Sequence, residues 1–189
     1  MASGFSRTRK IWHRVCRVCS VFTRRPEHLK TFDYTGLHRY FLTFCTFGRR
    51  RLFVTPAAVD SAHGQILRAA SDERFALLTY CFMPDHVHLL VEGQSHDSNG
   101  RRFIARAKQL SEFHYKKEFG APLWQRYGFE HTLRSDEGTL SVARYILENP
   151  IRAGLANSVE YPFLGSRIYT ITEILEAVQL NGRWYNRSG

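Results

Sequence analysis

The sequence predicts an α+β fold, a ferredoxin-like sandwich whose single antiparallel sheet carries helices on one face, extended by a further C-terminal helix and a tail. Three observations lead to it. Runs rich in aromatic and β-favouring residues recur, helical periodicities lie between them, and their order reads β-α-β-β-α-β before one more helix. The length, 189 residues, suits one domain with appendages: a basic N-terminal extension over 1–35 expected to be poorly ordered, a core domain over 36–155, and a tail over 156–189.

Each element has its own signal. Tyr40 to Phe47 is aromatic and β-favouring and ends at Gly48-Arg49-Arg50-Arg51. From Thr55 to Ala70, Val59, Ala62, Ile66 and Ala69/Ala70 recur at helical spacing, with Thr55 as N-cap and Pro56 in the first turn. Phe75 to Phe82 is a second strand, Met83-Pro84-Asp85 a turn, and His86 to Glu92 a third strand ended by Gly93. Residues 101–118 read as a basic amphipathic helix with Phe103, Ile104, Ala107, Leu110 and Phe113 or His114 as its apolar stripe. Phe129 to Leu133 is strand-like, Gly138 to Glu148 is helical, and Asn149-Pro150 stops that helix. Ile171 to Leu180 is a candidate last short helix.

Composition excludes some classes. No run of 18 apolar residues exists, so no membrane partner is expected. The formal charge of +10 invites a nucleic-acid reading. However, residues 1–30 hold eight Lys/Arg against Glu27 alone, while the rest carries 19 basic and 16 acidic groups, so position must decide. Four cysteines make no disulfide scaffold: Cys45 and Cys81 read as buried thiols, and Cys16 and Cys19 supply two ligands where structural zinc wants four. A reducing cytoplasm is the simplest setting. The first 30 residues lack a secretory pattern; a transit peptide, an arm touching phosphates and an upstream start codon all stay open.

Three groups of residues can do chemistry. His86 and His88 alternate along a strand and so share a face, as two metal ligands or as two partly exposed strand histidines. Tyr145 and Asn149 stand one helical turn apart, offering a phenol and an amide oxygen, or simply a surface tyrosine and a cap. The segment Leu123 to His131 is dense in aromatic and bonding groups. There Trp124 either stacks on unpaired bases or closes the core, the latter being favoured.

Pro84-Asp85-His86-Val87-His88-Leu89-Leu90-Val91 resembles the HUH motif of the IS200/IS605-like single-tyrosine transposases. Leu123-Trp124-Gln125, Phe129-Glu130-His131 and Tyr145 to Leu155 are similar to the branch of that family associated with REP palindromes. The likeness runs from about Leu37 to Leu155. It implies a divalent metal, Mg2+ or Mn2+, on His86 and His88, completed by Asn149. Tyr145 is then the catalytic nucleophile, taking a 5′-phosphate and freeing a 3′-OH; Tyr115, on the earlier helix, is a poorer rival.

It also implies single-stranded or hairpin DNA as partner, for which Arg101, Arg102, Arg106, Lys108, Lys116, Lys117, Trp124, Arg126, His131 and Arg152 are candidate contacts, with a solvated face as the alternative for the helix cations. Arg49, Arg50 and Arg51 stand under the same two readings. The enzyme expected is a metal-dependent DNA endonuclease and strand transferase, working as a monomer or a homodimer. The alternatives are a domesticated hairpin-binding protein without turnover, and a ferredoxin-like RNA-binding or zinc hydrolytic domain.

Overall fold

The computed structural model describes residues 32–133, 138–157, 160–167 and 170–174. The expectations for 1–31, including Cys16 and Cys19, and for a helix beyond 174 lie outside the described residues.

In chain order the elements are β1 (Arg39–Cys45), a 3-10 turn (Phe47–Arg49), α1 (Pro56–Asp72), β2 (Phe75–Met83), β3 (His86–Gly93), α2 (Gly100–Phe119), β4 (Phe129–Thr132), α3 (Thr139–Leu147), α4 (Asn149–Arg152) and β5 (Leu164–Ser166). The strands form one sheet in the order β4-β1-β3-β2-β5, antiparallel at each pairing. Strand β3 is central and β1 and β2 flank it; most residues of all three are buried on both faces, as only a covered strand allows.

Alternation along β1 separates two cores. Tyr40, Leu42 and Phe44 face α1 and α2, meeting Ile66, Phe103 and Ala107, while Phe41 faces the other side with Leu90, Val142 and Ile146. The first two helices thus share a face, as expected, and α3 covers part of the opposite one. Thr55 caps α1, its hydroxyl accepting from the Ala58 amide, and Asn99 caps α2, accepting from Arg102.

Four details differ from the sequence reading. The buried stripe of α2 is Phe103, Ala107, Ser111 and Tyr115, and Phe113 is 64% exposed. A serine fits the core there because its hydroxyl accepts from the Trp124 indole N–H at 2.8 Å. Pro150 does not merely end α3: it sits in the first turn of α4, where its missing N–H costs nothing.

The extension and the tail both contribute to the fold. Residues 32–35 belong to the folded part, since Tyr34 is buried and Tyr40 donates its hydroxyl to the Tyr34 carbonyl. The segment assigned to the tail returns as β5, and Ile174 is fully buried in the second core. Three residues containing Gly165 give no alternation to read. A Cβ at Gly165 would come within 2.8 Å of the Tyr80 hydroxyl, so the strand needs that glycine for its close approach.

Candidate active site

Strand β3 delivers His86 and His88 to the face opposite α1 and α2. His88 is 2% exposed, its Nδ1 is 2.8 Å from the Thr43 hydroxyl, and its ring stacks on Phe41. Burial, then the charges of His86 and Arg49, push its pKa well down, which favours the neutral imidazole. His86 Nδ1 lies 2.7 Å from Asp85 Oδ1, and Arg49 pairs with the other Asp85 oxygen at 2.8 Å. Burial raises the Asp85 pKa, but the His86 hydrogen bond and the His86 and Arg49 charges outweigh it and hold the carboxyl below its ordinary value.

Both Nδ1 atoms are therefore engaged, and the two Nε2 atoms turn toward each other at 3.1 Å. Two ligands bound at about 2.1 Å in neighbouring octahedral positions stand about 3.0 Å apart, so this spacing fits a small hard cation. Among the described residues no three His, Cys, Asp or Glu side chains gather as a metal site. Any third protein donor beside the two histidines among these residues would be of another type.

Helix α3 brings Tyr145 onto the same face. Its ring centre is 6.2 Å from that of His88 and 6.0 Å from that of Phe41, and 7% of the residue is exposed. Asn149, 6% exposed, donates Nδ2 to the Tyr145 carbonyl at 2.8 Å, so its oxygen is the atom it can offer a ligand. Glu148 bridges Arg144 at 2.6 Å and Arg152 at 2.7 Å, and the Arg152 guanidinium lies 5.2 Å from the Tyr145 ring centre. Burial raises the Glu148 pKa, but hydrogen bonds from Arg152 and Arg144 hold the carboxyl below its ordinary range.

The remaining candidates fall into three groups. His131 stands on the site face, paired with Phe41 across β4 and β1. Arg126 is exposed beside the Tyr127 ring. The α2 cations sit beyond the opposite face. Arg102 pairs with Glu73 and Arg106 with Asp72, joining α2 to the end of α1, and Arg101 stacks on Tyr34 at 4.2 Å. Lys116 and Lys117 are exposed there.

Two candidates are corrected. Trp124 is 7% exposed, wedged between Phe44 and Phe53, and so offers no ring to a base. Lys108 points its ammonium at the carbonyls of Gln125 and Arg126, at 2.7 and 3.0 Å, and pins that loop rather than a phosphate. Tyr115 is 4% exposed in the core on the helix side, across the sheet from both histidines.

Thr43, Phe41 and the Arg49–Asp85 pair join the site without having been predicted from sequence. A lone threonine at the alternate position in an apolar strand was the available signal for Thr43; Arg49 gave none, because only the fold carries it to Asp85.

The family profile described as "Transposase IS200 like" matches residues 35–149. This chain belongs to the IS200-like transposase family. A Haemophilus influenzae relative, provisionally named a REP-associated tyrosine transposase, is 25% identical over 145 residues, 69% of this chain and 81% of its own. The fold is shared with a REP-associated tyrosine transposase solved bound to a REP hairpin: TM-score 0.61, 20% identity, 73% of this chain and 81% of that one. Among the described residues of this transposase-family chain, no helix is long and apolar enough to cross a membrane.

Proposed function

We propose that this transposase-family protein is a single-stranded DNA endonuclease and transesterase acting beside a hairpin, with Tyr145 as nucleophile. The observation that carries the reading is the meeting of Tyr145 and His88 on one sheet face of one chain, ring centres 6.2 Å apart. The hairpin enters because the fold is shared with a protein solved on a REP hairpin.

The chemistry follows from the residues. The phenol oxygen of Tyr145 attacks the phosphorus, its proton passing to solvent or a base, and the 3′ oxygen departs as a hydroxyl. The product is a 5′-phosphotyrosine. A phenol is a better leaving group than an alkoxide, so a second 3′-OH can displace it without ATP. Arg152 sets a positive charge beside the ring where negative charge develops. His86, His88 and Asn149 would hold Mg2+ or Mn2+, which when bound draws charge from the phosphate oxygens. Thr43 keeps the His88 ring in one orientation.

One observation favours the runner-up, a hairpin-binding protein without turnover: only 7% of Tyr145 is exposed, so little of it is offered to a phosphodiester. A single experiment separates the two. Incubated with labelled hairpin DNA and Mn2+, the wild type should give a denaturant-stable adduct, and Tyr145→Phe should give none while binding the hairpin within about twofold, since it loses one oxygen. An adduct formed by Tyr145→Phe sinks the nucleophile assignment. Tight binding by the wild type with no adduct establishes the runner-up.

A further inference from the structure

Arg49 adopts φ +56°, one of two non-glycine residues among those described with positive φ, and it follows Gly48 at +62°. The left-handed region disfavours any side chain with a Cβ, and it persists only where the surroundings impose it. Here they do. The Thr46 amide donates to the Asp85 carbonyl at 3.0 Å, the Phe47 amide to Leu123 O at 2.7 Å, and the Arg49 amide back to Thr46 O at 3.0 Å. The Thr46 hydroxyl lies 2.7 Å from the Arg50 carbonyl. The turn is thereby fastened to the residue that precedes His86.

A glycine at 49 would relieve the conformation, yet the position carries a long cation whose two ends are both engaged. One guanidinium nitrogen meets Asp85 Oδ2 at 2.8 Å and another meets Cys45 Sγ at 3.0 Å. The remaining Asp85 oxygen is turned to His86 Nδ1 at 2.7 Å. We infer that Arg49 is a positioning residue: through Asp85 it fixes His86 as the tautomer protonated on Nδ1, leaving Nε2 as the ligand atom.

Two effects follow. A carboxylate with one oxygen held by a guanidinium cannot rotate away from the imidazole, which sets the ring's orientation. Nor can it swing in as a competing oxygen ligand one residue from His86. Outer contacts of this kind are worth about 10–100-fold in metal affinity.

The inference rests on the metal reading above, and its test is built to fail separately. Arg49→Gly suits the backbone and should keep or raise the thermal midpoint. It should nonetheless weaken Mn2+ binding by about 10–100-fold in calorimetric titration of the metal alone. In the metal-free protein, ring 15N shifts should show His86 protonated at Nδ1 in the wild type and a mixture of tautomers in Arg49→Gly. Asp85→Asn, which keeps the side chain's shape, should repeat both effects should Arg49→Gly not fold.

Arg49→Lys retains a cation without the fork that spans Asp85 and Cys45, and should fall between. A folded Arg49→Gly with wild-type Mn2+ affinity and an unchanged His86 tautomer overturns the inference. A wild type that takes no Mn2+ brings down the metal reading, while the nitrogen shifts still decide whether Arg49 fixes the ring.

Discussion

Lys108 illustrates how a cation can be spent inside a protein. Its amine reaches two loop carbonyls, and burial lowers its pKa to about 8, with Cys45 and Glu112 pulling the other way. Because the folded-state value lies below the ordinary 10.5, the folded chain releases this proton before the unfolded one does. The cost of burying the charge is thus fully present below pH 8 and is relieved as pH rises toward 10.5. Measured by urea unfolding against Lys108→Met, the wild type should gain about 3 kcal/mol over that window, since other groups titrate alike in both proteins. A gap between the two that stays flat with pH would refute the burial of the charge. Trp124 and Lys108 are an aromatic and a cation of the kind a nucleic-acid surface uses; only packing shows that Lys108 braces the loop after Trp124 and that the indole fills the core.

At the scale of elements, α1 and α2 begin where short polar side chains cap them. Asn99 receives the Arg102 amide at 3.1 Å, and α2 carries no acidic residue in its first turn to help. Asn99→Ala should therefore cost about 1 kcal/mol, read as a lower denaturant midpoint at unchanged slope. Strands β1 to β3 and helix α1 were legible to within a residue or two because period and caps agreed. The stripe of α2 was not: a buried serine and a buried tyrosine owe their places to Trp124 and to partners distant in sequence. Of the site, alternation along β3 showed the two histidines sharing a face, and helical spacing paired Tyr145 with Asn149. The carboxylate and guanidinium behind His86 depend on a left-handed turn that no periodicity announces.

For the whole molecule, one face of the sheet is closed by two helices and the other carries His86, His88 and Tyr145. Helices α1 and α2 with their ion pairs close the first. On the second, α3 lies over Phe41 and His88, and the returning residues of β5 and Ile174 extend the same core. A three-residue strand at the sheet edge pairs with only part of β2, so its existence could be seen only once β2 was in place.

That Tyr145 packs on His88 of its own chain bears on inheritance as well as chemistry. Were the helix traded between subunits, mixing inactive His88→Ala protein with inactive Tyr145→Phe protein would restore adduct formation in the hybrid. With Tyr145 against His88 within one polypeptide, the pair proposed to act together is joined in cis, so the mixture should stay silent, and two defective alleles in one cell should fail to complement.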